Sequence, residues 1–246
     1  MANDYNNIYL SILIPAYNEE QNISSTLQDI YKYLATKDFT YEILVVDDGS
    51  TDKTVELVSP FRNKFQNIEV LKNDKNFGKG YSIKKGMLTA KGELILFMDA
   101  DNATRIHELD KFLPKAKEGN DVIIASRRIP GAEITSSQPI CRIILGNIYI
   151  LLSKIILGAS VNDYNCGFKL YTSKSAKLLF PKLTRNDWSF DSELIYLIKK
   201  FKLKLKEVPV KWEDKRTSKV KPFKDGIKSL VSLIIIRIQA IRKMYD

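Results

Sequence analysis

An open α/β sheet, mostly parallel and flanked by helices, is the architecture this sequence predicts, and two observations carry the prediction. Five short runs rich in Ile, Val and Leu, at residues 8–14, 43–46, 68–71, 94–98 and 122–125, are separated by polar stretches of helical length. Parallel strands buried on both faces read as such uninterrupted apolar runs. Polar and acidic residues then collect directly after the runs, which is where open α/β sheets bind their ligands. At 246 residues, with 44% hydrophobic content, the chain can bury one sizeable core.

The first run leads into Pro15-Ala-Tyr-Asn-Glu-Glu20, where Asn18 ahead of two acidic residues marks a helix start. The second ends at Asp47-Asp-Gly-Ser50, and Ser50 and Thr51 are expected to cap a helix beginning at Asp52, which puts an acid in its first turn. After the third comes Asn76-Phe-Gly-Lys-Gly80, with the glycines and lysine of a phosphate-approaching loop but not the spacing of a P-loop or a dinucleotide fingerprint. The fourth, Glu93-Leu-Ile-Leu-Phe-Met-Asp-Ala-Asp101, ends on two carboxylates one residue apart. Such hard oxygens suit Mg2+ or Mn2+, which keep coordination positions for phosphate oxygens. The fifth run leads to Arg127 and Arg128, either of which offers a planar fork to a diphosphate.

Beyond residue 140 the texture changes. Residues 140–159 are dominated by Ile and Leu but broken by Asn147, Ser153 and Lys154, short of the roughly 20 apolar residues that a bilayer span needs. Residues 227–244 repeat the theme, with Lys228, Arg237, Arg242 and Lys243 among isoleucines. Two readings stand: amphipathic helices lying in a membrane interface, or a self-association face that makes a homo-oligomer. The first is the expectation, giving a domain over residues 1–222, with an interfacial helix at 140–159, and a C-terminal amphipathic helix at 223–246.

The net charge of +10 is unevenly placed, with 15 Lys and Arg against 18 Asp and Glu through residue 120 and 24 against 11 beyond it. A basic second half suits a polyanionic partner such as an anionic membrane surface. No nucleic-acid motif accompanies the charge, and the carboxylates would repel phosphate without a cation between them, so nucleic acid is not an expected partner. Cys141 and Cys166 make neither a disulfide framework nor a metal-ligand spacing, and the first residues lack the pattern of a secretory signal; a cytosolic setting is expected. His107, the single histidine, is read as a solvated residue of a polar helix.

In that order, Ile14-Pro-Ala-Tyr-Asn-Glu-Glu20, Val45-Val-Asp-Asp-Gly-Ser-Thr-Asp52, Asn76-Phe-Gly-Lys-Gly80 and Asp99-Ala-Asp101 resemble the family 2 glycosyltransferases of the GT-A (Rossmann-like) fold. Within that family the second half resembles the polyprenyl-phosphate sugar synthases, particularly their dolichyl-phosphate β-glucosyl branch. The resemblance runs through Ser126-Arg-Arg128, Asp163-Tyr-Asn-Cys-Gly-Phe-Lys-Leu170, Trp188-Ser-Phe-Asp-Ser-Glu193, Glu207-Val-Pro-Val-Lys-Trp212 and Ser218-Lys219.

The resemblance implies an inverting transfer of glucose from UDP-glucose, ahead of UDP-N-acetylglucosamine or GDP-mannose, onto dolichyl or polyprenyl phosphate. The enzyme would be peripheral, on the cytoplasmic face of a membrane. The nucleotide-sugar donor would be held by Pro15, Ala16, Tyr17, Glu19, Asp47, Asp48, Lys79, Asp99, Ala100 and Asp101, with Mg2+ or Mn2+ on Asp99 and Asp101. Mannose synthases of this kind add a metal-ligating glutamine two residues past the second aspartate; here Ala103 stands there, which fits the glucosyl branch better. Catalysis would fall to Asp101, Arg127 and Asp163. Asp191 is the other carboxylate able to orient a substrate, unless with Glu193 it caps the following helix. Arg142, Arg216 and Lys219 are expected on the acceptor phosphate. A phosphate monoester has a second pKa of about 6, so near pH 7 the nucleophile needs no strong base; the leaving diphosphate is the harder problem.

Overall fold

The computed structural model describes residues 7–65, 67–135, 140–159, 161–213 and 222–246; the side chains of residues 140–142 and 222–227 fall outside that description. One seven-stranded sheet organises the chain. Its strands are β1 (Leu10–Ala16), β2 (Tyr41–Asp47), β3 (Ile68–Lys72), β4 (Leu94–Met98), β5 (Val122–Ser126), β7 (Phe168–Thr172) and β8 (Leu205–Pro209), in the spatial order β3-β2-β1-β4-β7-β5-β8. The short strands β6 (Glu133–Ile134) and β9 (Lys211–Trp212) pair separately. All five apolar runs are strands. β1 to β4 are parallel, as are β5 and β8, so the expected open, mostly parallel sheet is what forms.

Alternation along each strand sorts side chains into two cores. Ile12, Ile14, Val45, Leu96 and Ile123 face α1 (Ile23–Leu34), α2 (Thr54–Val58) and α4 (Leu109–Lys117). Leu13, Leu44, Phe97 and Ile124 face α3 (Lys79–Thr89), α6 (Ser173–Leu179) and α7 (Phe190–Lys200). The second core also receives Leu157 of α5 (Ile140–Leu157) and Leu233 and Ile236 of α8 (Pro222–Ile241). α5 and α8 pack on each other. α8 is thus part of the domain's own packing, and Tyr245 just beyond it is fully buried.

The structure departs from the sequence reading in three places. Strand β7 runs antiparallel between β4 and β5. Its second residue, Lys169, is a charge between apolar neighbours, and it is buried where Asp191 pairs with it. Asn18 starts no helix: it sits in the left-handed region at φ 52°, and its side-chain oxygen accepts from Thr51 N–H at 2.8 Å. Nor do Ser50 and Thr51 cap α2. The Ser50 hydroxyl accepts from Asn18 N–H at 2.9 Å, while Asp52 Oδ1 accepts from Thr54 N–H at 3.0 Å where α2 begins. In each case the short polar side chain is taken by the neighbouring loop, because parallel strands β1 and β2 bring their carboxyl ends side by side.

Helix α3 lies close on the sheet at Gly86, where an added Cβ would stand 2.1 Å from Leu13 Cδ1. Gly86→Ala should therefore destabilise the fold by about 1–3 kcal/mol through overpacking, against the small gain Ala gives elsewhere in a helix. A lower denaturant midpoint at unchanged slope is the expected result.

Candidate functional site

β1 is the switch point of the sheet: β2 and β3 follow on one side of it and β4 lies on the other. The loops leaving β1, β2 and β4 therefore splay apart and border a cleft of about 390 Å3. Every expected donor residue lines it except Asp47, and Asn76, Gly78, Ser82 and Trp188 join them. In the sequence Trp188 is visible only as part of the motif Trp188-Ser-Phe-Asp-Ser-Glu193. Asp47 instead closes its own turn, Oδ1 accepting from Ser50 N–H at 3.2 Å.

Asp48 holds a loop. Its carboxylate accepts from Asn73 Nδ2 at 2.9 Å, Phe77 N–H at 3.0 Å and Gly78 N–H at 2.9 Å. Gly78 is at φ 102°, and a Cβ there would lie 2.4 Å from the Asn186 carbonyl. Only glycine meets both conditions, and the loop so fixed delivers Lys79 as the first residue of α3.

Lys79 reaches across the cleft to Asp99, Nζ to Oδ1 at 2.6 Å, with the ammonium 4.7 Å from the Trp188 ring centre and 5.4 Å from that of Phe97. Burial pulls this ammonium down, but Asp99 outweighs it and holds Lys79 above its ordinary value. Asp99 is pinned from behind: its N–H donates to Gly167 C=O at 2.9 Å, and any Cβ at Gly167 would collide with the carboxylate. Asp101 accepts only from Ala103 N–H, at 3.0 Å, among the hydrogen bonds of its side chain that the structure gives. Burial, then the charge of Asp99, push its carboxyl up to about 6. Thr26 Oγ1 donates to Ala100 C=O at 2.7 Å and so clamps the turn between the two aspartates to α1.

Arg127 and Asp163 lie outside the cleft lining and are committed to each other. Arg127 donates from Nε (2.7 Å) and Nη2 (2.8 Å) to the two Asp163 oxygens and from its backbone N–H (3.0 Å), and its guanidinium stands 5.0 Å from the Trp212 ring. Burial raises Asp163, but Arg127 overrides it and holds the carboxyl at about 2. Arg128 turns instead to Asn147 on α5. Asp191 is bound by the buried Lys169, which also donates to Tyr164 C=O at 2.7 Å. Glu193 is not a helix cap: it accepts from Thr184 and Arg185 N–H and from Tyr245 OH, at 3.0, 2.8 and 2.6 Å. His107 is exposed, its ring 5.4 Å from that of Tyr33. Arg216 and Lys219 lie outside the described residues, as does the side chain of Arg142.

The donor set fits a hard divalent cation. Burial and the charge of Asp99 raise the Asp101 carboxyl, which is the situation a cation relieves. Among the described residues no group of three or more His, Cys, Asp or Glu gathers, so the remaining ligands of such an ion would be water or substrate oxygens.

Residues 11–180 match the profile of glycosyl transferase family 2. The dolichyl-phosphate beta-glucosyltransferase of Dictyostelium discoideum is 34% identical over 96% of this chain and 76% of its own length. A protein of the same name from Trichomonas vaginalis is 36% identical over 94% of this chain and 71% of its own. Among solved structures, glucosyl-3-phosphoglycerate synthase of Mycobacterium tuberculosis, in complex with Mn2+, UDP and glucosyl-3-phosphoglycerate, superposes with a TM-score of 0.67 at 18% identity, covering 94% of this chain and 80% of that one. That likeness shows the GT-A fold.

The Arg127–Asp163 pair makes stability depend on pH in the acid range. Asp163 titrates at about 2 in the fold against an ordinary 3.8, so its contribution is present above about pH 4 and lost as pH falls toward 2. Asp163→Asn strands a buried guanidinium and should cost about 3–5 kcal/mol at pH 7. Denaturant titrations at pH 7 and pH 3 should show that loss and a shallower pH dependence in the variant.

Proposed function

We infer the activity of this chain from one premise: it belongs to glycosyl transferase family 2. It moves glucose from UDP-glucose onto dolichyl or a related polyprenyl phosphate, with inversion at the anomeric carbon; the names of its relatives give beta-glucosyl transfer and dolichyl phosphate for those proteins. The observation that carries the reading is the cleft that the Asp99–Asp101 pair and Lys79 line together with the Pro15–Glu19 loop.

Each group has a task. The Pro15–Glu19 loop and the Asp48-held loop at Asn76 and Phe77 take the nucleoside, and Lys79 with the start of α3 takes the diphosphate. Asp99 and Asp101 would hold Mg2+ or Mn2+, which supplies Lewis-acid stabilisation of the charge that develops on the leaving diphosphate. Arg127 and Asp163, already joined, brace the strand end and the segment that carries Gly167, and so act by positioning Asp99. Arg142, Arg216 and Lys219 receive the acceptor phosphate. That phosphate is mostly ionised near pH 7 and attacks without a protein base.

The enzyme works at the cytoplasmic face of a membrane as a peripheral protein. No helix among the described residues is long and apolar enough to cross one. Ile144, Ile148, Leu151 and Ile155 on α5, and Val231, Ile234, Ile238 and Ile241 on α8, are exposed at helical spacing on two helices that pack together. Basic residues beside them add roughly 1 kcal/mol each at an anionic surface.

Two measurements test this. Asp99→Asn and Asp101→Asn should each lower glucose transfer to polyprenyl phosphate by about 100-fold or more, with circular dichroism unchanged, and EDTA should do the same to the unaltered protein; transfer that survives these treatments overturns the reading. Flotation with anionic liposomes should succeed at low salt, weaken at high salt, and fail in a triple variant Ile234→Ser, Ile238→Ser, Ile241→Ser. Retention of the unaltered protein in the soluble fraction, with a dimer by light scattering, would assign the same face to self-association.

A further inference from the structure

The ammonium of Lys79 lies 2.6 Å from Asp99 Oδ1, on one of the two carboxylates that would ligate a cation. Ligand distances of about 2.0–2.2 Å place a divalent ion on that oxygen within a few ångströms of the ammonium, and the repulsion between them in a partly buried site is too large for both to stay. Lys79 is well seated where it is. Its side chain is 17% exposed, Trp188 and Phe97 present ring faces to it, and Gly78 and Gly80 fit its backbone against Asn186 and Arg185 with no room for a Cβ.

We propose that Lys79 is a resident counter-ion of Asp99 that excludes the metal until a donor diphosphate arrives to take the ammonium. The proposal rests on the nucleotide-sugar reading of the cleft and adds an order of events to it. Without a nucleotide, displacing Lys79 from Asp99 leaves a cation without an anion, so metal binds weakly. The diphosphate supplies the ammonium with a new partner at the start of α3. The ammonium leaves Asp99 for the phosphates, and the metal takes its place. Metal and nucleotide then bind with positive coupling, and Lys79 is the residue that couples them. The consequence is economical chemistry: the carboxylate pair is not loaded with metal while the cleft holds no sugar nucleotide.

Mn2+ binding, followed by the electron spin resonance of the free ion, tests this with UDP absent and present. Lys79→Met keeps the length of the side chain and removes its charge. Without UDP it should bind Mn2+ about tenfold more tightly than the unaltered protein, while with Mn2+ absent it should bind UDP more weakly. The gain in Mn2+ affinity that UDP produces in the unaltered protein should shrink in the variant. An independent readout needs no change at Lys79: Mg2+ with UDP should alter Trp188 emission as the ammonium leaves the ring, and Trp188→Phe should abolish that signal. Equal Mn2+ affinities for both proteins without UDP, with UDP-dependent binding intact in each, would overturn the exchange and leave the enzyme reading standing. No Mn2+ binding to either protein even with UDP would overturn the metal assignment itself.

Discussion

The ion pair between Lys79 and Asp99 is the contact around which the cleft is built. It ties the carboxyl end of β4 to the first residue of α3, across a sheet whose strand order has already separated the neighbouring loops. Three other features serve it. Asp48 spends its carboxylate on Asn73, Phe77 and Gly78, which sets the approach of α3. Gly78 and Gly80 admit the carbonyls of Asn186 and Arg185 at distances no side chain would allow, and Gly167 does the same for the Asp99 carboxylate. Five segments remote in sequence, at Asp48, residues 73–80, Asp99, Gly167 and Arg185 with Asn186, thus meet on one pair of charges.

The chain handles its buried carboxylates in different ways, and the difference separates structure from chemistry. Asp163 and Asp191 are each given a dedicated cation, Arg127 and Lys169, and are closed off with it. Such pairs add little net stability but make the loss of either partner costly, so they specify the arrangement of the β5 and β7 ends. Among the described residues Asp101 has no such partner, and its carboxyl is pushed up to about 6. A carboxylate raised in this way, beside another in a cleft, is the arrangement that a bound cation would relieve.

The fold was legible where the physics was local. Each apolar run became a strand because Ile, Val and Leu buried on both faces leave few other arrangements. β7 escaped because Lys169 breaks its pattern, and only the distant Asp191 makes that lysine tolerable inside the sheet. Most of the cleft was readable because a parallel sheet delivers its loops to one edge. The partners of the charges were not: nothing in the spacing of Arg127 and Asp163, or of Glu193 and Tyr245, announces that they meet. Trp188 illustrates the same limit, since an aromatic residue in a polar loop gives no sign that an ammonium from another helix will rest on its ring.

The Glu193 network joins the cleft to the apolar surface. Glu193 fixes the backbone of Thr184 and Arg185 and holds Tyr245 at the end of the chain. Arg185 donates from Nη2 to Ser232 on α8, at 3.0 Å. The same short segment backs Gly78 and Gly80 and carries Trp188 to the Lys79 ammonium. α8 therefore exposes Val231, Ile234, Ile238 and Ile241 on one side and, through Ser232, holds Arg185 of the segment next to the cleft on the other. A contact made on α8 thus lies one hydrogen bond, Ser232 to Arg185, from the segment that carries Trp188 to the Lys79 ammonium.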